Sequence, residues 1–260
     1  MLQASNISVS YGTKQIINGL DFTAHAGTLT AIVGPNGSGK TTLLRALTGE
    51  TPVQGTIRLN GMDIVQAPAW VLASQRAVLS QATSLSFPFQ AIEVVRLGLQ
   101  AGKETAVHLA QTALHRVGLG GYEERFYQEL SGGEQQRVQL ARVLCQVWNP
   151  VHDGTPRWLL LDEPVSSLDI GHQLMVMQIA RRFAQEGGGV IAVMHDLNLS
   201  AMFAQTIVLM SEGTIVAQGT PTEVLSDRNV TSAYKCDIRT CQQPHANGWF
   251  MLPQAAVHLS

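Results

Sequence analysis

Gly34-Pro35-Asn36-Gly37-Ser38-Gly39-Lys40-Thr41 is the stretch on which the reading of this chain turns. It fits G-x-x-x-x-G-K-[ST] in full, with a mainly apolar run at residues 29–33 before it and helix-forming residues 41–47 after it. Glycines let the backbone wrap round phosphates without Cβ clashes. Successive N–H groups and the positive end of a helix then face the anion. Lys40 is placed to reach the β- and γ-phosphates, the Thr41 hydroxyl to ligate Mg²⁺, and Thr42 completes the set. A glycine-rich turn alone would not come with this strand and this helix. The stretch predicts a nucleotide site.

A second group of residues matches the first. Residues 158–161, Trp-Leu-Leu-Leu, read as a buried strand that ends in Asp162 and Glu163. A central strand delivers such acids to the carboxyl edge of its sheet, where ligands of open α/β folds bind. Asp162 is expected to hold Mg²⁺. Glu163, one residue on, faces another way and is the candidate base for the attacking water. Taken alone, two acids at a strand end are often merely solvated; the phosphate loop upstream gives them work.

The third group is Leu130-Ser131-Gly132-Gly133-Glu134-Gln135-Gln136-Arg137, just before a helical pattern. Ser131 with the N–H groups of Gly132 and Gly133 forms a second anion site at a helix start, although the same letters also serve as a plain N-cap. Lying between the phosphate loop and the acidic strand, the octet resembles the signature of ATP-binding cassette proteins. That resemblance covers roughly residues 4–222 and implies further roles. Tyr11 stands where the family stacks an aromatic on adenine. Gln81, in Leu79-Ser80-Gln81, matches the glutamine that joins core to helical subdomain and serves both metal and water. Asp169, in Ser166-Ser167-Leu168-Asp169, lies in the loop after the catalytic glutamate and belongs to the nucleotide set. His195, in Met194-His195-Asp196, matches the switch histidine at the γ-phosphate. Glu134 departs from the glutamine common in the family, and puts a carboxylate in the helix's first turn, where the dipole favours it.

The resemblance also implies partners. ATP is sandwiched between the phosphate loop of one cassette and the signature of another. A chain with one copy of each is therefore expected as a homodimer with two composite sites. It would drive two membrane permease subunits and, through them, serve a periplasmic substrate-binding protein. Phe87-Pro88-Phe89, near Gln81, is a candidate groove for a permease helix, or else part of the local core.

Composition agrees with one α/β domain. The 260 residues are 45% hydrophobic and 14% charged, enough for a large core, and no internal repeat is visible. Seventeen basic against nineteen acidic residues leave a net charge of −2, which offers no general attraction to nucleic acid. No apolar run is long enough to span a membrane, and no secretory signal precedes residue 4. The chain is expected on the cytoplasmic face of the inner membrane. Cys145, Cys236 and Cys241 fit that reducing compartment. Cys236, Cys241 and His245 fall one short of a closed zinc site and read as ordinary residues.

Strands are expected at residues 4–9, 29–33, 55–60, 158–162, 190–194 and 207–210. Helices are expected over 41–47, 92–117 with a break at 98–102, 134–147, 170–185 and from 197. The alternation predicts a P-loop NTPase core with a mainly parallel sheet, an N-terminal antiparallel β subdomain and an inserted α-helical subdomain. Residues 1–85 and 150–220 would form the nucleotide-binding core, 86–149 the helical signature subdomain and 221–260 a C-terminal tail. Residues 149–157, rich in Pro and Gly, read as a loop.

A kinase or GTPase of the P-loop class would lack the octet and His195. Repair and translation members of the resembled family carry a coiled-coil insertion or two cassettes, neither present here; a soluble cofactor-assembly ATPase stays open. Among importers, residues 130–144, His195-Asp196-Leu197-Asn198-Leu199 and the chain length resemble the iron-chelate, vitamin B12 and haem group. The long segment 149–158 followed by Leu159-Leu160-Leu161 is most similar to haemin-import ATPases. Substrate contacts belong to other subunits, so iron-siderophore and vitamin B12 remain alternatives.

Overall fold

The computed structural model describes residues 1–81, 87–99 and 106–241; His245 and the end of the tail lie outside the described residues. The chain opens with a hairpin, β1 (Leu2–Tyr11) and β2 (Lys14–Ala24), turned at Gly12-Thr13. β3 (Leu29–Val33) runs through the phosphate loop into α1 (Lys40–Leu47), and β4 (Gln54–Leu59) and β5 (Met62–Asp63) follow. After α2 (Ala69–Gln75) and β6 (Arg76–Leu79) the middle is helical: α3 (Ala91–Arg96), α4 (Ala106–Arg116), a 3-10 turn at Tyr127–Glu129 and α5 (Gly132–Gln146). A small hairpin, β7 (Val151–His152) and β8 (Thr155–Pro156), precedes β9 (Trp158–Asp162). Then come α6 (Ile170–Gln185), β10 (Gly189–Val193), α7 (Leu197–Phe203), β11 (Thr206–Ser211), β12 (Thr214–Gly219), α8 (Pro221–Val224) and α9 (Asp227–Tyr234).

Two sheets result. One is antiparallel, in the order β2-β1-β4-β5; the other has the order β12-β11-β3-β10-β9-β6. In the second sheet every pairing from β11 to β6 is parallel and only β12 runs against its neighbour. Strands β3, β9 and β10 are buried along their whole length, which is why they read as apolar runs broken only by Thr30 and the terminal Asp162. Their side chains alternate between two cores. Leu29, Ala31, Leu159, Leu161, Val190 and Ala192 pack towards α5 and α6. Ile32, Leu160, Ile191 and Val193 pack towards α1 and the antiparallel sheet. Each fully buried Leu, Ile or Val contributes about 1.5–3 kcal/mol by leaving water. The helical middle of the chain shares the first of these cores: Val94, Val95, Leu114, Val138 and Leu144 belong to the same cluster as Leu159 and Leu161.

The segment expected as a loop, 149–157, contains the β7–β8 hairpin. Asp153 and Gly154 form its tip with φ of 47° and 72°, a two-residue turn with both residues left-handed. Nothing in the hairpin is apolar enough to announce a strand except Val151, which is 40% exposed.

Candidate functional site

Because β10 lies between β3 and β9, the loops after all three strands open at one carboxyl edge. Gly34 leaves β3 with φ 149° and lies so close to the β11–β12 corner that a Cβ there would meet the carbonyl oxygen of Met210 at 2.1 Å. Gly39 caps α1 in the left-handed conformation, without a side-chain cap, so the first N–H groups of the helix stay directed into the loop. Lys40 is buried and its Nζ donates to the carbonyls of Gly34 (2.8 Å) and Pro35 (3.0 Å). Burial pulls the Lys40 pKa down, while Glu163 and Asp162 push it back up. Ser38 Oγ is buried without a partner among the described residues.

Thr41 Oγ1 donates to Asp162 Oδ1 at 3.2 Å. Asp162 is buried at the end of β9, and desolvation, followed by the nearby charge of Glu163, raises its pKa; Thr41 and Arg45 oppose the shift. A hydroxyl beside a desolvated carboxylate is a donor set for a hard divalent cation that keeps other oxygen ligands. No cluster of three or more His, Cys, Asp or Glu able to hold a metal exists among the described residues. The remaining ligands would come from the Gln81 side-chain oxygen, phosphate and water.

Glu163 follows Asp162 with φ 50°, a left-handed backbone that turns its side chain away from the strand. Gln81 Nε2 donates to Glu163 Oε2 at 2.9 Å, and His195 Nε2 lies 2.6 Å from Glu163 Oε1. His195 follows β10 and Gln81 follows β6, so three strand ends converge on one carboxylate. Tyr11, Asn36, Gly37, Gly39, Lys40, Thr41, Thr42, Glu163 and His195 line one cavity of about 310 Å³.

Lys14 and Ile16 line it too, and sequence reasoning missed both. Tyr-Gly-Thr-Lys at residues 11–14 could have been read as a hairpin tip, which makes Lys14 the cross-strand partner of Tyr11. Tyr11 is 47% exposed at that tip, a flat face on offer to a ligand.

Ser131, Gly132, Gly133 and Asp169 are not among the residues lining this cavity. Ser131 caps α5 in a capping box: its N–H and Oγ both donate to Glu134 Oε2 at 2.8 Å, and Glu134 N–H returns to Ser131 Oγ at 3.4 Å. Those bonds from Ser131 hold the Glu134 pKa below the usual carboxylate range. Asp169 caps α6, accepting from the His172 N–H at 2.9 Å and facing its Nδ1 at 2.7 Å. Ser131 and Asp169 thus stand exposed at helix starts, outside the cavity that Lys40 and Thr41 line. Of the phenylalanine pair, Phe87 is 69% exposed while Phe89 packs partly buried against the core.

The Asp162 shift carries a stability consequence. A carboxyl with a higher pKa in the folded chain binds its proton more tightly when folded, so its ionised form destabilises the fold above that pKa, and the penalty fades as pH falls through the carboxylate range. Asp162→Asn keeps the shape and an oxygen for Thr41. It is expected to raise the Tm of the ligand-free chain near pH 8, with the gain shrinking towards about pH 4. Thermal melts at the two pH values check this; an equal Tm in both would show that Asp162 bears no such penalty.

The family model described as ABC transporter matches residues 17–166. The chain is 58% identical over 257 residues, covering 98% of it and 95% of the relative, to a protein of Jannaschia sp. named hemin import ATP-binding protein HmuV. It is 55% identical over 261 residues to the protein of that name in Rhizobium meliloti, covering 99% of this chain and 100% of that one. Among solved structures, a nucleotide-free ATP-binding cassette from an ABC transporter superposes with a TM-score of 0.78 at 23% identity, over 90% of this chain and 98% of the other.

Proposed function

The chain belongs to the ABC transporter family, and on that footing we propose that it is the ATP-hydrolysing, energy-coupling subunit of a bacterial haemin importer. The observation that carries the ATPase reading is the Glu163 carboxylate, held between Gln81 and His195 in the cavity that Lys40 and Thr41 also line. The haemin assignment is supported by near full-length identity to relatives that bear that name.

ATP would lie with its base against Tyr11 and its phosphates in the loop of residues 34–41, where Lys40 exchanges two backbone carbonyls for phosphate oxygens. Thr41 and Asp162, with Gln81, would hold Mg²⁺, which neutralises phosphate charge when bound. Glu163 takes a proton from the attacking water as its oxygen bonds to the γ-phosphorus and the bond to the β–γ bridging oxygen breaks. His195 and Gln81 keep that carboxylate aimed. Hydrolysis yields ADP and phosphate.

Ser131, Gly132, Gly133 and Asp169 would complete the site of a second copy of the chain, a reading supported by their standing outside the cavity of their own. Two membrane permease subunits would receive the closing motion, with the exposed Phe87 near the proposed contact, and a periplasmic binding protein would deliver the cargo. No helix among the described residues is long and apolar enough to cross a membrane, which agrees with a peripheral place on the cytoplasmic face.

Membrane vesicles carrying this chain and the permease from its own gene neighbourhood test the cargo. ATP-dependent uptake of haemin, with no comparable uptake of a ferric siderophore or of cobalamin, is the expected result. Uptake of either competitor in place of haemin would overturn the haemin assignment and leave the ATPase reading intact.

A further inference from the structure

Gln136, in the second turn of the signature helix, has no role in the site as assembled so far, yet its side chain reaches that site. Its Nε2 donates to the backbone carbonyl of Glu163 at 2.9 Å. The Ser166 Oγ donates to the same carbonyl at 3.2 Å, and the Glu163 N–H donates to the carbonyl of Val193 at 3.1 Å. These bonds surround a residue whose φ is 50°, a conformation that a side chain with Cβ adopts at an energetic cost and keeps only where neighbours impose it. The aim of the carboxylate therefore depends on what grips the backbone beneath it. Val193 belongs to the adjacent strand and Ser166 to the same loop. Gln136 alone among the three comes from α5, the helix that starts at Ser131.

The other end of the Gln136 amide sharpens the point. Its Oε1 is buried without a partner among the described residues. Turning the amide over would set oxygen against the Glu163 carbonyl oxygen, so the donor orientation is fixed by its surroundings. A glutamine that leaves its acceptor unmet is poorly chosen for stability alone, because burying an unpaired polar atom costs free energy. Its donor is the end that serves a purpose.

We infer that Gln136 is a positioning residue that ties the pose of a chain's own Glu163 to the signature helix. This rests on the sandwich proposed above, in which the start of that helix grips the ATP bound by the other chain. Ser131 and Gln136 stand five positions apart on one helix, about 7.5 Å along its axis, so a shift of the helix start is passed to the Glu163 backbone without an intervening joint. Each composite site then adjusts the base of the other, and turnover at the two sites is coupled.

Steady-state ATPase of the full chain with ATP and Mg²⁺ tests this. Gln136→Met fills the same space without a donor. It should leave KM for ATP within about twofold, lower kcat about tenfold or more, and bring the Hill coefficient down towards 1. Gln136→Glu keeps the length but presents oxygen to the carbonyl, and should lose at least as much kcat. Unchanged kcat and Hill coefficient in either variant would overturn the inference, and so would joint loss of turnover and nucleotide binding in Gln136→Met. Glu163→Gln run beside them separates the two ideas: if it turns over freely the catalytic reading fails, whereas an inactive Glu163→Gln beside a fully active Gln136→Met sinks the positioning role alone.

Discussion

Glu163→Gln is expected to bind ATP as the parent chain does and to turn over roughly 10²–10⁴ times more slowly, the range that a general base commonly supplies. Size is preserved and the proton acceptor is lost. Lys40, Thr41 and the loop backbone are untouched, so affinity should hold. The carboxylate accepts from Gln81 through one oxygen and lies against His195 through the other, and an amide can satisfy one such contact but not accept a proton from water. With binding intact and hydrolysis blocked, the ATP-bound dimer should accumulate. Size-exclusion chromatography with ATP and Mg²⁺ would show it as an early peak, and turnover near the parent rate would place the base elsewhere.

Mixing two inactive variants is expected to restore activity. Lys40→Ala removes the cation committed to the β/γ-phosphates, a charge-assisted contact worth about 1.5–3 kcal/mol, or roughly one to two decades of affinity. Ser131→Arg sets a long cation at the start of α5, where the capping box now stands, and should block closure while sparing nucleotide binding by its own loop. In a mixed pair one composite site carries both lesions and the other carries neither. Half the dimers in an equimolar mixture are mixed, so recovery of up to roughly a quarter of parent activity is expected if each is a symmetric pair with two sites. Strong activity from Ser131→Arg by itself would refute the composite site. No recovery at all would mean that an intact site cannot fire beside a broken one.

The pieces legible in the sequence were those with an unambiguous local signal. Residues 29–33 and 158–162 are buried throughout and apolar but for Thr30 and Asp162, because both faces of the parallel sheet are covered, and the glycines between 34 and 39 mark the loop. Strand β2 is harder to see because Asn18-Gly19 in its middle reads as a turn. In the fold it is a bulge: Gly19 has φ 58°, its N–H donates to Ser8 Oγ at 2.9 Å, and the register slips between Ile7 and Val9. The edge strand β6 is four residues long, too short for alternation to show. Helix α9 buries only Val230 and Ala233, so its apolar face has a single repeat. Among the candidate site residues, Lys40, Thr41, Asp162 and Glu163 could be named from strand ends and spacing, and His195 only through the family resemblance. The left-handed backbone of Glu163 and the reach of Gln136 could not, since both depend on contacts between elements far apart in the chain.

The capping box at Ser131 has a further consequence, one of selectivity. A bare helix start with two glycines and a serine would attract any small anion, and free phosphate would compete for it continually. Here the carboxylate of Glu134 already occupies the serine N–H and hydroxyl. A tethered occupant competes at an effective concentration on the order of millimolar or more. An anion arriving alone must displace it with one set of contacts. In the proposed pair, a γ-phosphate presented by a second chain would arrive with the base, the other phosphates and their cation already anchored, and would need only the last increment of binding from this helix. In that pair the signature would thereby answer to an anchored nucleotide and ignore loose anions in the surrounding solution.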